Sequence, residues 1–114
     1  MIPEWIRRYC LSLPHVTEQV QWKESLVFKI GGKMFAVLAL EPRATALSFK
    51  CSPEDFEDLI ERAGIIPAPY LARAKWVALE NFDAMQRKEL ELRLKQAYEL
   101  VFGKLPKKMQ RELS

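Results

Sequence analysis

The sequence has few of the residues on which metal sites and nucleophilic catalysis depend. Its 114 residues include one histidine, His15, and two cysteines, Cys10 and Cys51. This set lacks the ligands that a zinc site requires, and no Walker, Gly-x-Ser-x-Gly or Gly-x-Gly-x-x-Gly motif is present. A Cys–His dyad would need an exposed thiol, whereas both cysteines fall in apolar patterns. The sequence therefore predicts no enzyme activity, no metal and no cofactor.

Long apolar runs are also absent. Lys33 and Glu41 bracket the longest one, which is too short to cross a bilayer. Charges interrupt the opening residues, MIPEWIRRYC, and no small-residue cleavage site follows them, so we expect a helix there rather than a signal peptide. Two cysteines in apolar patterns indicate buried, reduced thiols. These features together predict a cytoplasmic protein that has no membrane partner.

The composition is typical of one globular domain. The chain is 49% hydrophobic and 29% charged, and a chain of this length buries a single core. We therefore expect residues 1–114 to form one domain. The net charge is only +3, but it is uneven, with −1 in residues 1–60 and +4 in residues 61–114. This basic bias is compatible with nucleic-acid binding without being diagnostic of it.

The most informative stretch is SLVFKIGGKMFAVLAL, residues 25–40. A Gly-Gly pair between two strand-forming runs predicts a tight hairpin turn, because both central residues need a positive φ. With Gly31 and Gly32 in the turn, Ile30 lies opposite Lys33 and Phe28 opposite Phe35. The second run is apolar on both faces, which is typical of a central strand that is covered on both sides.

Further elements follow from the spacing of apolar residues. We predict helices over residues 3–13, 53–63, about 83–102 and about 105–113, with Ser52 capping the second and an Asp83–Gln86 capping box opening the third. Strands are predicted over 15–22 (an edge), 45–50 and 75–80, and the proline-bearing segment 65–70 is predicted to be a loop or an edge. The fold class is therefore α+β, a two-layer α-β(4)-α-β(1-2)-α arrangement with a mainly antiparallel sheet packed against helices.

Basic residues lie on or beside the predicted strands and close the chain. The candidate DNA-contacting residues are Lys29, Lys33, Arg43, Lys50, Arg73, Lys75, Trp76, Lys107 and Lys108. Hairpin tips that carry such cations can enter a DNA groove while neighbouring elements contact phosphates. Turn and edge lysines also block aggregation, and the residues alone favour this second interpretation. Trp76 could stack on a base, although a tryptophan on an alternating strand is more often in the core.

The predicted second helix carries an acidic ridge. Its members are Glu54, Asp55, Glu57, Asp58 and Glu61. Such a ridge can bind hard cations. The residues favour a simpler interpretation, in which the first two complement the helix dipole and the others face solvent.

Five stretches together resemble the MmcQ/YjbR family: RRYCLSLP (7–14), LVFKIGGKMFAVLAL (26–40), LSFKCSPED (47–55), APYLARAKWVAL (68–79) and YELVFGKLPKKMQREL (98–113). The resemblance implies a small α+β protein related in shape to frataxin and to secretion chaperones. It also implies DNA binding through a double wing, two projecting β-hairpins. Many members have His-Trp where this chain has Lys75-Trp76, which keeps a hydrogen-bond donor but removes a titratable ring.

Three functional hypotheses follow. The leading one is sequence-tolerant binding of double-stranded DNA by the basic residues above, with a monomer favoured. The second is a protein-binding or chaperone-like module that uses large apolar residues near the element ends, namely Trp5, Trp22, Phe82 and Phe102. The third is a frataxin-like metal binder that uses the acidic second helix.

Overall fold

The computed structural model describes residues 3–21, 24–41 and 44–113. Its helices are α1 (Glu4–Ser12), α2 (Pro53–Leu59), α3 (Arg87–Gly103) and α4 (Lys107–Leu113). Its strands are β1 (Thr17–Gln21), β2 (Ser25–Ile30), β3 (Lys33–Ala39), β4 (Leu47–Lys50), β5 (Ile65–Pro67) and β6 (Trp76–Leu79). In this part of the chain, no helix has both the length and the apolar content that a membrane crossing requires.

The strands form one antiparallel sheet in the order β1-β2-β3-β4-β6-β5. We call the face that carries Phe28, Phe49 and Leu79 the front face, because these residues share one core with α1, α2 and α3. The other face is the back face. This architecture confirms the predicted α+β class, the central place of β3, and the edge positions of β1 and β5.

The central hairpin forms as predicted at its turn, but its register shifts within the strands. Gly31 and Gly32 have φ of 60° and 81°, and Ile30 pairs with Lys33. A β-bulge then places Phe28 opposite Ala36, so the predicted Phe28–Phe35 pairing is wrong. The extra residue brings both phenylalanine rings into the front core, with centroids 6.4 Å apart.

The predicted ends of α2 and α3 need correction. Asp55 N–H donates to Ser52 Oγ over 3.1 Å, which confirms that cap. The helix nevertheless ends at Leu59 rather than at residue 63, and a turn leads on to β5. The third helix begins at Arg87, without the predicted capping box. Met85 is extended and 4% exposed, so anchoring this side chain in the core interrupts the helical path before α3.

The back face carries a smaller second core. Ala68, Trp76 and Ala78 are buried there, and Met34 and Leu71 pack against them. Residues 68–71 follow β5 and provide the cover. All four residues of β6 are therefore buried, although an alternating pattern was predicted for this segment.

Candidate nucleic-acid interface

The directions of the strands bring the predicted basic residues to one end of the sheet. In the sheet register, Ile30 pairs with Lys33 and Lys50 pairs with Trp76. The strands β2 and β4 thus end where β3 and β6 begin. Seven basic residues lie at this end, which we call the basic end: Lys33, Lys50, Arg73, Lys75, Lys104, Lys107 and Lys108.

The last two lysines reach the basic end because α4 sits on the hairpin turn. A β-carbon built on Gly31 would lie 2.6 Å from Leu105 Cδ1 and 2.9 Å from Met109 Sδ, whereas one on Gly32 would meet nothing within 4 Å. The turn is therefore packed on one side and open on the other. This contact places Lys107 and Lys108 beside the turn that precedes Lys33.

Two further lysines are held by polar and aromatic contacts. Lys50 Nζ donates to the carbonyl oxygen of Ala74 over 2.8 Å. Burial lowers the pKa of Lys50, and the nearby positive charge of Lys104 lowers it further. Lys75 has φ of 65° and places its ammonium 5.0 Å from the centroid of the Phe56 ring. Two like charges held close together favour an anion beside them.

Within the described residues, no acidic side chain forms an ion pair with the cations of the basic end. Ion pairs in the described ranges join Arg7 to Glu18, Arg62 to Glu89, Arg87 to Glu91, and Arg93 to Asp55 and Glu89. No member of the basic end takes part in an ion pair with another described residue. The exposed Glu54 in the first turn of α2 is an acidic neighbour of this end. The lysines therefore remain available to an external anion.

Several exposed acidic side chains lie near the opposite end of the sheet. Exposed acidic residues flank the strands there, namely Glu24, Glu41, Glu80 and Asp83.

Three predicted contact residues lie elsewhere or outside the described ranges. Lys29 projects from the back face, where its Nζ donates to Gln19 Oε1 over 3.0 Å. Trp76 is 4% exposed within the back-face core, so it offers no open ring face for stacking on a base. Arg43, in the turn after β3, lies outside the described residues.

The sequence analysis did not include Lys104 among the DNA-contacting residues, but the fold places it beside Lys50. The sequence feature that could have pointed to Lys104 is its position directly after Gly103, the glycine that ends α3. The family resemblance also implies two projecting hairpins. The β2–β3 turn packs against α4 on its Gly31 side and is open on its Gly32 side. The second turn includes Pro42 and Arg43, which lie outside the described residues.

The alternative hypotheses gain less from the geometry. Across residues 3–21, 24–41 and 44–113, no three His, Cys, Asp or Glu side chains form a group that could hold a metal ion. Asp55, from the acidic ridge, pairs instead with Arg93 over 3.0 Å. Trp5, Phe82 and Phe102 are half-buried against the core rather than exposed for a partner. The fourth apolar residue, Trp22, lies outside the described residues.

Comparison with known proteins identifies the family. The family model YjbR matches residues 11–100. The Deinococcus radiodurans protein DR2400, whose crystal structure is described as a DUF419 domain, shares 29% identity with a TM-score of 0.85, covering 96% of this chain and 86% of that one. A Pseudomonas syringae protein, solved as target PsR293, shares 18% identity with a TM-score of 0.73. The match covers 89% of this chain and 99% of that chain, and it supports the fold alone. No curated protein matches. Because the family model matches most of the length of this chain, the chain belongs to the YjbR family.

Proposed function

We propose that this protein binds double-stranded DNA through the basic end, with little dependence on base sequence. The observation that carries the proposal is the convergence of seven cations from separate elements, without an ion pair among the described residues. Closely spaced cations displace the counterions that surround DNA, and this displacement provides most of the free energy of non-specific binding.

The chemistry of the side chains supports backbone contacts rather than base reading. Six of the seven residues are lysines, and an ammonium is a compact point charge without the bidentate geometry of a guanidinium. Contacts to phosphates fix the position of a protein on DNA but carry no sequence information. Trp76 is buried, so stacking on single-stranded bases is not part of the proposal.

We further propose that the protein is a cytoplasmic monomer and that it catalyses no reaction. Burial raises the pKa of Cys10 to about 12 and that of Cys51 to about 11, so neither thiol is a reactive nucleophile near neutral pH. Buried free cysteines are also typical of proteins from reducing compartments.

Fluorescence anisotropy with two labelled duplexes of unrelated sequence tests the proposal. At physiological salt we expect a Kd in the usual non-specific range, about 1–100 μM, with much tighter binding at low salt. The affinities for the two duplexes should agree within a factor of about three, because a difference in base sequence alters affinity only where the protein contacts base edges. The proposal is wrong if no binding tighter than about 100 μM appears even at low salt.

A further inference from the structure

A cavity on the back face of the sheet is separate from the basic end. The helices α1, α2 and α3 pack on the front face, whereas the back face carries only the small core around Trp76 and Ala78. Beside this core, β3 and residues 69–71 line a cavity of about 660 Å³, which we call the back-face cavity. This volume lies within the range of sites that bind small molecules. No member of the basic end is among its described lining residues.

Mostly small side chains form the floor of the back-face cavity. Ala39 on β3 pairs with Ser25 on β2, and Val37 on β3 pairs with Ser48 on β4. All four residues line the cavity. Because neighbouring strands lie about 4.8 Å apart, these short side chains on three adjacent strands leave a broad, shallow floor rather than a narrow channel. A floor of this shape accommodates a flat molecule.

The described lining of the cavity carries no charged side chain. Met34, Pro69 and Leu71 add apolar surface around the floor. A methionine sulfur makes favourable contacts with aromatic rings, whereas an anion buried here would find no cation among the described lining residues to offset its lost hydration. The lining therefore favours an uncharged aromatic occupant over an ionic one.

Ser25 gives the cavity a buried polar group without a protein partner. Leu26 and Phe28 belong to the front core, so alternation along β2 directs Ser25 to the back face. Ser25 is only 5% exposed, and its hydroxyl group forms no hydrogen bond with another described residue. Buried hydroxyl groups ordinarily have a partner. A hydroxyl group on an occupant could provide one, because it can donate to the serine oxygen or accept from it.

Tyr70 gives the cavity an unusual rim. Its φ of 67° is in the left-handed region, and its side chain is fully exposed at 103%. A bulky residue seldom adopts this backbone conformation, and an exposed aromatic ring gains nothing from burial. The loop therefore holds an aromatic ring in water at the edge of an apolar cavity, where the ring can close over a flat occupant.

From these features we infer that the back-face cavity binds an uncharged, flat aromatic molecule that carries a hydroxyl group. The ring system lies on the floor between Ser25 and Ser48, and its hydroxyl group forms a hydrogen bond with Ser25 Oγ. The occupant is selected by the shape of the floor, the uncharged lining and the unpartnered serine hydroxyl. The inference does not depend on DNA binding, because none of these residues belongs to the basic end.

Equilibrium dialysis at pH 7 with three related probes tests the inference, with each probe dilute and the protein varied up to about 1 mM. The probe 2-naphthol is a phenol and is uncharged at this pH, and we expect it to bind with a Kd below about 1 mM. Naphthalene lacks the hydroxyl group and should bind more weakly than 2-naphthol. The carboxylate 2-naphthoate should bind at least about tenfold more weakly than 2-naphthol, because the lining offers it no cation.

Ser25→Ala tests the proposed hydrogen bond. It should weaken binding of 2-naphthol about threefold to tenfold, the usual effect of one hydrogen bond, and leave the affinity for naphthalene unchanged. A purely structural role of Ser25 would alter both affinities alike. The affinity of this variant for duplex DNA should equal that of the wild type, which separates the cavity from the basic end.

Ala39→Leu tests the position of the ring system. The larger side chain fills the floor and should weaken binding of both 2-naphthol and naphthalene at least about tenfold. If this variant fails to fold, Tyr70→Ser is a second test, because the Tyr70 side chain is fully exposed. Its control is Leu92→Ser, which removes an apolar side chain that is 54% exposed on α3. Tyr70→Ser should weaken binding of 2-naphthol, and Leu92→Ser should not.

Four results would each overturn the inference. The first is a Kd for 2-naphthol above about 1 mM. The second is an equal or higher affinity for 2-naphthoate, and the third is a preference for 2-naphthol over naphthalene that persists in Ser25→Ala. The fourth is wild-type affinity in the folded cavity variants. Sedimentation showing a dimer that Ala39→Leu dissociates would also overturn it, because the cavity would then be assigned to a second copy of the chain.

Discussion

Gly31 and Leu105 are in such close contact that a β-carbon on the glycine would lie 2.6 Å from Leu105 Cδ1. Leu105 is itself 5% exposed, between α3 and α4. The hairpin turn and the C-terminal helix therefore form one packed unit. This unit explains why residues that are 70 or more positions apart in the sequence contribute to the same charged end of the molecule.

Replacing Gly31 should cost more stability than replacing its neighbour. Both glycines have a positive φ, so Gly32→Ala should lower the free energy of unfolding by about 1–2 kcal/mol through backbone strain alone. Gly31→Ala adds overpacking against Leu105 and Met109, and should cost about 1–3 kcal/mol more. Urea denaturation of both variants measures the difference. Equal losses in the two variants would show that α4 does not pack on the turn.

Trp76 should matter for stability and not for DNA. The ring belongs to the back-face core, so Trp76→Phe should lower the free energy of unfolding by about 1–2 kcal/mol. Under conditions where the variant is folded, its affinity for duplex DNA should equal that of the wild type, because no exposed ring face is removed. A selective loss of DNA affinity in the folded variant would instead support base stacking.

The two thiols should react only when the protein unfolds. Burial raises the pKa of Cys10 to about 12 and that of Cys51 to about 11, so both remain protonated at pH 8 as well as sterically protected. A thiol-reactive chromophore at pH 8 should therefore label the native protein slowly, and both cysteines quickly in denaturant. The variant Cys10→Ala identifies which thiol reacts. Rapid labelling of either thiol in the native state would contradict the packing described above.

Acid should weaken the fold through the ion pair of Glu89. The hydrogen bond from Arg62 lowers the pKa of Glu89 below its usual 4.5, and Arg93 adds to this effect. Because the unfolded state takes up the proton first, the pair stabilises the fold above about pH 4.5 and loses this contribution as the pH falls further.

Glu89→Gln tests this pH dependence. It should remove roughly 0.2–1 kcal/mol at pH 7, the usual range for a partly exposed pair, and flatten the stability profile below pH 4.5. Glu61→Gln is the control, since Glu61 is exposed and makes no ion pair with the described residues. Identical pH profiles for both variants and the wild type would rule out this role for Glu89.

Local chemistry predicted the parts of the fold that a few adjacent residues determine. The Gly31-Gly32 turn and the Ser52 cap each depend on such residues, and both form as expected. The bulge at Phe35 was not predictable, because β3 is apolar on both faces and its alternation does not fix which residue faces the helices. The start of α3 depends on the burial of Met85, a tertiary contact that no local pattern reveals.

The candidate site shows the same division. The sequence pointed to most of the lysines as individual residues, but their convergence depends on the strand order and on the contact between α4 and the turn. The closeness of Lys104 to Lys50 is likewise a product of topology. A back-face cavity lined by β3 and by residues 69–71 is also a product of tertiary packing, and it has no signature in the sequence.

The salt dependence of DNA affinity in matched double variants tests the central claim most directly. Lys107→Gln with Lys108→Gln removes two exposed lysines from the basic end, and Lys88→Gln with Lys95→Gln removes two exposed lysines from α3, outside it. The net charge is the same in both variants. We predict that the first variant makes the negative slope of log K against log salt shallower by about 1–2, while the second retains the wild-type slope. Equal slopes in the two variants would show that the basic end is not where this protein contacts DNA.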